Sequence, residues 1–219
     1  MNILYTAFNG KYNSSKILLD NIKISDENKL YLRNSFITSV KQLQKKIKLD
    51  NYDLIVSFGQ LPLEQDNIRI EIVGKEQTEI YESDFDYSQL KEKLEKNNYK
   101  TEVSRDSGNY YCNNIFFNGL KYIKENNLKC KMIFIHIPFI DKIGNIEELS
   151  KLFNEKWIWE FNHSLFTIHY SLRCVNNAHL ERVEGIEPSL PGRKHGILPL
   201  NYTRKLLIYF NMFYDVFSR

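Results

Sequence analysis

Two side chains in this sequence have the type and setting to begin acyl-transfer chemistry. Cys112 stands in Ser104-Arg105-Asp106-Ser107-Gly108-Asn109-Tyr110-Tyr111-Cys112-Asn113. Just beyond it, Ile115, Phe116, Leu120 and Ile123 carry the spacing of an amphipathic helix that opens near the cysteine. A thiol at a helix N-terminus feels the positive end of the macrodipole, which favours thiolate. The free N–H groups of that first turn suit a developing oxyanion. His136 lies in the apolar run Met132–Ile137, one residue before its end at Pro138. An imidazole beside a thiol takes its proton, and the thiolate then attacks a carbonyl. A third group must orient the imidazole. Glu71 is a candidate, with Glu64, Glu76 and Glu79 as rivals that spacing alone does not separate from it. Cys130 precedes an apolar strand and reads as core.

The elements that must position these groups alternate between strand and helix. Ile3–Phe8 is a short apolar run closed by Asn9-Gly10, a strand followed by a turn. A helix is expected from about Ser14 to Ile22, and a short strand at Lys29–Leu32. Ser35 stands as an N-cap ahead of Phe36, Val40, Leu43 and Ile47, which share one helical face. Leu54–Phe58, ending at Gly59, is the continuous apolar pattern of a strand buried on both faces. Ile68–Val73 alternates at period two, as in a strand with one exposed face. Leu90 and Leu94 mark a short helix, and Cys130–Ile137 a second buried strand. The pattern predicts an α/β fold, a three-layer α/β/α sandwich with a mostly parallel twisted sheet. A right-handed crossover from the Cys112 helix into the next strand would bring His136 to that helix's N-terminus, at the sheet end where sites of open α/β sheets gather.

The bulk properties narrow the function classes. The 219 residues suffice for one large domain without disulfide or metal staples. Hydrophobic residues at 42% and charged residues at 26% describe a globular chain rather than a disordered one. A net charge of +3 gives no reason to invoke nucleic acid. The opening Asn2-Ile3-Leu4-Tyr5-Thr6 has neither the basic nor the long apolar region of a signal peptide. The most apolar stretch, Leu206–Phe217, is interrupted by Asn211 and Asp215 and is too short to span a bilayer. Three irregularly spaced cysteines fit neither a disulfide framework nor a zinc site. A cytoplasmic protein with no cofactor, no metal and no membrane is therefore expected.

The chain changes character past about Leu165. Before it, 20 of 23 basic residues are Lys; after it, 5 of 7 are Arg, and three of the five prolines fall there. Residues 1–165 are thus read as one α/β domain, and residues 166–219, which include Cys174, as a divergent tail that is either a segment of different origin or a long loop with an apolar docking element at Lys205 to Phe217.

The stretch Ser104-x-x-Ser107-Gly108-x-Tyr110-x-Cys112-Asn113 resembles the nucleophile motif of the pyroglutamyl peptidase I (pyrrolidone-carboxylate peptidase) family. Ile133-Phe134-Ile135-His136-Ile137-Pro138 is similar to that family's histidine strand, and the 24 residues from Cys112 to His136 match its spacing. Weaker likenesses are Thr6-Ala7-Phe8 with Asn13-Ser14, the strand Asp53–Gln60, and Ile68-x-Ile70-Glu71. The resemblance extends over about residues 1 to 160.

This resemblance implies a cysteine exopeptidase that removes the N-terminal pyroglutamyl residue from peptides. Cys112 would be its nucleophile, His136 its base and Glu71 the group that orients the imidazole. It also implies substrate binding by Phe8, Gln60, Tyr110 and Tyr111, with Phe8 and Gln60 at the lactam pocket, and points to a homo-oligomer. The chain departs from the family pattern in several places. The glycine-rich loop after the first strand is cut to Thr6-Ala7-Phe8-Asn9-Gly10, leaving Tyr12 as the aromatic that could replace a lost one. Ile72 stands where an arginine follows the glutamate, Pro62-Leu63-Glu64 replaces Gly-Gly-Arg, and the segment from glutamate to cysteine is shorter. Two other outcomes are compatible with such a reduced pocket: a binding protein without turnover, and an amidase for a different small lactam or amide.

Overall fold

The computed structural model describes residues 1–62 and 64–154; the expected boundary at 165 and the tail 166–219 lie outside the described residues. In chain order the elements are β1 (Ile3–Phe8), α1 (Ser14–Asn21), a 3-10 turn (Asp26–Asn28), β2 (Lys29–Leu32), α2 (Phe36–Leu49), β3 (Leu54–Gln60) and β4 (Ile68–Glu71). There follow a hairpin of β5 (Val73–Glu76) and β6 (Glu79–Glu82), α3 (Ser88–Lys96), β7 (Thr101–Ser104), α4 (Tyr111–Glu125), β8 (Lys131–Ile137), and the short helices α5 (Ile140–Ile143) and α6 (Ile146–Lys151).

Six strands form the central sheet in the order β2-β1-β3-β8-β4-β7. The first four are parallel; β4 runs antiparallel to β8 and carries β7 parallel to itself. Side-chain alternation divides the interior into two cores. Ile133, Ile135 and Ile137 of β8 pack with Leu18 and Leu19 of α1, Leu90 and Leu94 of α3, and Leu149 of α6. Met132 and Phe134 of the same strand pack with Leu43 and Ile47 of α2 and Ile115, Phe116 and Leu120 of α4. Helices therefore cover both faces, as the alternating pattern predicts. His136 has the parity of Phe134 and faces the α4 layer.

Local signals account for most boundaries. The Ser35 hydroxyl accepts from Thr38 N at 3.2 Å and caps α2, and Asn13 Oδ1 accepts from Ser15 N at 2.9 Å at the start of α1. The apolar face of α2 is narrower than its spacing implies: Leu43 is buried, but Phe36 is 44% exposed.

Two expectations differ from the structure. Ile68–Val73 is not one strand: the pairing changes at Ile72, whose N–H donates to Ser104 O and whose carbonyl accepts from Ser83 N, each at 2.9 Å, and β5 beyond it belongs to a separate two-stranded sheet that packs on α4. A Cβ on Gly74 would lie 2.7 Å from the Phe117 backbone, so only glycine lets β5 approach that closely. Nor does a parallel crossover deliver His136. The strand before α4 is β7, which runs opposite to β8, and the loop Arg105–Tyr110 carries the chain from the sheet edge to the start of α4.

Candidate active site

Strand register assembles the charged part of the site. Arg69 pairs opposite His136 and Glu71 opposite Phe134 across the antiparallel β4–β8 ladder. Opposed residues and their second neighbours share a face, so Arg69, Glu71 and His136 converge above the sheet. His136 Nδ1 lies 2.8 Å from Glu71 Oε1. An ionised carboxylate only accepts, so the Nδ1 proton is donated to it and Nε2 is left as the basic nitrogen. Glu71 is completely buried. Its position separates it from its rivals: Glu64, Glu76 and Glu79 are all exposed, and Glu79 pairs with Lys121.

Cys112 is the second residue of α4. Beneath it is Gly59 of β3, whose register partner on β8 is His136. A Cβ on Gly59 would stand 2.8 Å from both Cys112 Sγ and the Phe134 ring. Glycine is required here by the close approach of the thiol to the sheet. Cys112 and His136 line one cavity of about 440 Å³, together with Gln60, Arg69, Tyr110 and Phe139.

The thiol does not have the lowered pKa that its helix position alone suggests. Burial, followed by the nearby charge of Glu71, pushes Cys112 up to about 12, and a hydrogen bond from its own backbone opposes this only in part. At neutral pH the resting group is a thiol. Cys130 is also pushed up to about 12, first by burial, but is packed in the α4-side core rather than in the cavity.

A hydrogen-bonded loop holds the start of α4 around Cys112. Asn113 Oδ1 accepts from Lys75 N at 3.0 Å and from the Ser107 hydroxyl at 2.9 Å, while Asn113 Nδ2 donates to Lys75 O at 2.7 Å. Ser107 Oγ also lies 3.0 Å from Val73 O, and Lys75 pairs with Asp106 at 2.9 Å. Arg69 reaches the same loop through Ser104 Oγ at 2.6 Å. Sequence reasoning overlooked Arg69, Ser107 and Asn113 as functional groups. The alternation Ile68-Arg69-Ile70-Glu71 was the signal for the first, since it places Arg69 on the same face as Glu71.

The expected recognition residues divide. Gln60 and Tyr110 line the cavity. Gln60 Oε1 also accepts from Ser14 N and Oγ, at 2.8 and 3.0 Å, and so ties β3 to the start of α1. Phe8 and Tyr111 are not lining residues; they stack on each other at 6.1 Å, and Tyr111 on Phe36 at 4.6 Å, packed beside the nucleophile. Tyr12 is 76% exposed, so it does not replace the missing aromatic. Among the described residues no group of three or more His, Cys, Asp or Glu is placed to hold a metal ion, and no helix is long and apolar enough to cross a membrane.

A half-buried thiol, an imidazole and a buried carboxylate on an α/β/α sheet define a site of the cysteine-type hydrolase class. Comparison with known proteins specifies it further. Residues 65–151 match the family model of pyroglutamyl peptidase. Pyrrolidone-carboxylate peptidase 1 of Caldanaerobacter subterraneus subsp. tengcongensis is 31% identical over 169 residues, 64% of this chain and 83% of that protein. Pyrrolidone-carboxylate peptidase 2 of the same organism is 29% identical over 64% of this chain and 82% of that protein. The crystal structure of Bacillus amyloliquefaciens pyroglutamyl peptidase I shares the fold with a TM-score of 0.61 at 18% identity, over 68% of this chain and 91% of that one. The chain belongs to the pyroglutamyl peptidase family.

Proposed function

We propose that this chain is an omega peptidase that hydrolyses the amide bond after an N-terminal pyroglutamyl residue of a peptide. Cys112 is the nucleophile, His136 the general base and Glu71 the group that fixes the imidazole. The observation that carries this reading is the His136–Glu71 hydrogen bond of 2.8 Å at the cavity that Cys112 also lines, in a chain of this family.

The steps follow from the protonation states. The neutral thiol gives its proton to His136 Nε2 as the substrate carbonyl reaches Sγ, and the imidazolium is stabilised by Glu71. Sulfur bonds to the carbonyl carbon, and the oxyanion takes hydrogen bonds from the first turn of α4. When the C–N bond breaks, the imidazolium proton passes to the leaving amine. Water then gives a proton to His136 and attacks the thioester, which returns the thiol and releases pyroglutamate. An uncharged lactam enters a dry slot at low desolvation cost, whereas a free, charged N-terminus does not.

The test is release of a fluorophore from its pyroglutamyl amide by reduced protein near neutral pH, with Cys112→Ser in parallel. Turnover that disappears in the variant is the expected result. A folded, reduced protein that leaves the pyroglutamyl amide intact but cleaves another aminoacyl amide would transfer the site to a different substrate.

A further inference from the structure

We propose that Arg69 is a positioning residue for this reaction: its guanidinium holds the charge of Glu71 against His136 and, with the same fork, anchors the loop that delivers Cys112. The substrate part of this inference rests on the function proposed above; the part concerning the thiol does not.

Glu71 needs a cation. Its carboxylate is fully buried, Oε1 is shared with His136, and Oε2 has no hydrogen-bond partner. A neutral imidazole supplies one hydrogen bond but no charge, and burying a carboxylate beside no opposite charge is costly. Arg69 Nε lies 3.6 Å from Glu71 Oε1. That is too long for a hydrogen bond, and Nε is itself buried without one, but it is well within range for charge interaction at low dielectric. Two other cations flanking the Glu71-to-Cys112 segment are already neutralised, Lys75 by Asp106 and Arg105 by Glu82.

The rest of the fork points at the nucleophile loop. Nη2 donates to Ser104 Oγ at 2.6 Å and to Asp106 O at 3.2 Å, and Nη1 to Gln65 Oε1 at 3.3 Å. From Asp106 the chain continues through Ser107, which is hydrogen-bonded to Asn113 beside Cys112. One planar group thus joins the base and its carboxylate on β4–β8 to the segment leading into α4. Lysine keeps the charge but cannot make that set of contacts.

The experiment is a double-mutant cycle of Arg69→Met and Glu71→Gln. It is read by the alkylation rate of Cys112 with iodoacetamide, mapped by mass, and by kcat and KM on the pyroglutamyl amide. Arg69→Met should slow alkylation and lower kcat about tenfold or more, with KM within about twofold. In the Glu71→Gln background the same substitution should cost clearly less, about threefold or under, because the part that passes through Glu71 is already gone and only the loop anchor remains to be lost. Arg69→Lys should retain part of the activity, and guanidinium ion should restore Arg69→Ala where sodium chloride of equal ionic strength does not. Equal losses in both backgrounds, a rise in KM at constant kcat, or no loss would overturn the proposal. If Arg69→Met does not fold, Arg69→Lys in both backgrounds decides by the same criterion. If the wild-type protein leaves the pyroglutamyl amide intact, the substrate reading fails and the alkylation cycle alone decides the role of Arg69.

Discussion

On the β4–β8 wall of the cavity, side chains are placed by strand register and held by charge: Arg69 opposite His136, His136 on Glu71, and the Arg69 fork on Ser104. At the N-terminus of α4, Phe8, Phe36, Tyr110 and Tyr111 instead pack ring on ring, with centroids 4.1 to 6.1 Å apart. The difference concerns tolerance. Proton transfer fails when a donor moves by a fraction of an ångström, whereas apolar rings can slide and exchange at modest cost. The departures from the family pattern noted above, the short loop after β1 and the segment after Glu71, leave Cys112, His136 and Glu71 in place.

The contrast can be broken hardest at sulfur. Cys112→Ser should reduce turnover of the pyroglutamyl amide by about a thousandfold or more with little change in KM, measured by steady-state kinetics. Glu71→Gln comes next. It should lower kcat by about a hundredfold or more, since an amide neither fixes the tautomer nor supports the imidazolium. Gly59→Ala tests whether the thiol depends on the sheet below it. Its methyl would meet Sγ and Phe134 at 2.8 Å, so kcat should fall about tenfold and denaturant stability by about 1–3 kcal/mol. In the aromatic cluster Phe36→Ala should be mild, changing kcat/KM by no more than about threefold, because Phe36 is already 44% exposed. A loss of a hundredfold there would erase the distinction between the two regions.

The smallest expected effect is alkaline. Cys112 and Cys130 are each raised from 9.0 to about 12 in the folded protein, so the unfolded chain loses those protons first. Their contribution to stability is complete below pH 9 and is lost as pH rises toward 12. Tyr31, Tyr52 and Tyr99 are also raised and add to the slope. Urea midpoints across this range should fall less steeply for Cys130→Ala than for the wild type.

What the sequence disclosed follows burial. β1, β3 and β8 are buried on both faces and read as unbroken apolar runs, and α2 announces itself through Ser35. Cys112 and His136 were legible because each combines a reactive type with a distinctive local position. Glu71 was not separable from its neighbours, because what selects it is the pairing of β4 with β8, a contact across 65 residues. β6 has two exposed glutamates around Ile80 and Tyr81, and β7 reads Thr-Glu-Val-Ser; neither carries enough apolar pattern to be seen. The antiparallel direction of β4 also had no local signal.

The placement of Cys112 and His136 on different kinds of element has a consequence for how the proposed activity would be lost. His136 lies on a strand with neighbours on both sides, whereas Cys112 lies at the end of a helix held by loop hydrogen bonds and ring contacts. Amide exchange should be slowest in β3 and β8 and faster around residues 105–112, since local opening takes the least supported segment first. On warming, the nucleophile should therefore drift away while the sheet is still intact, and catalysis should cease at a temperature below the one at which the molecule unfolds.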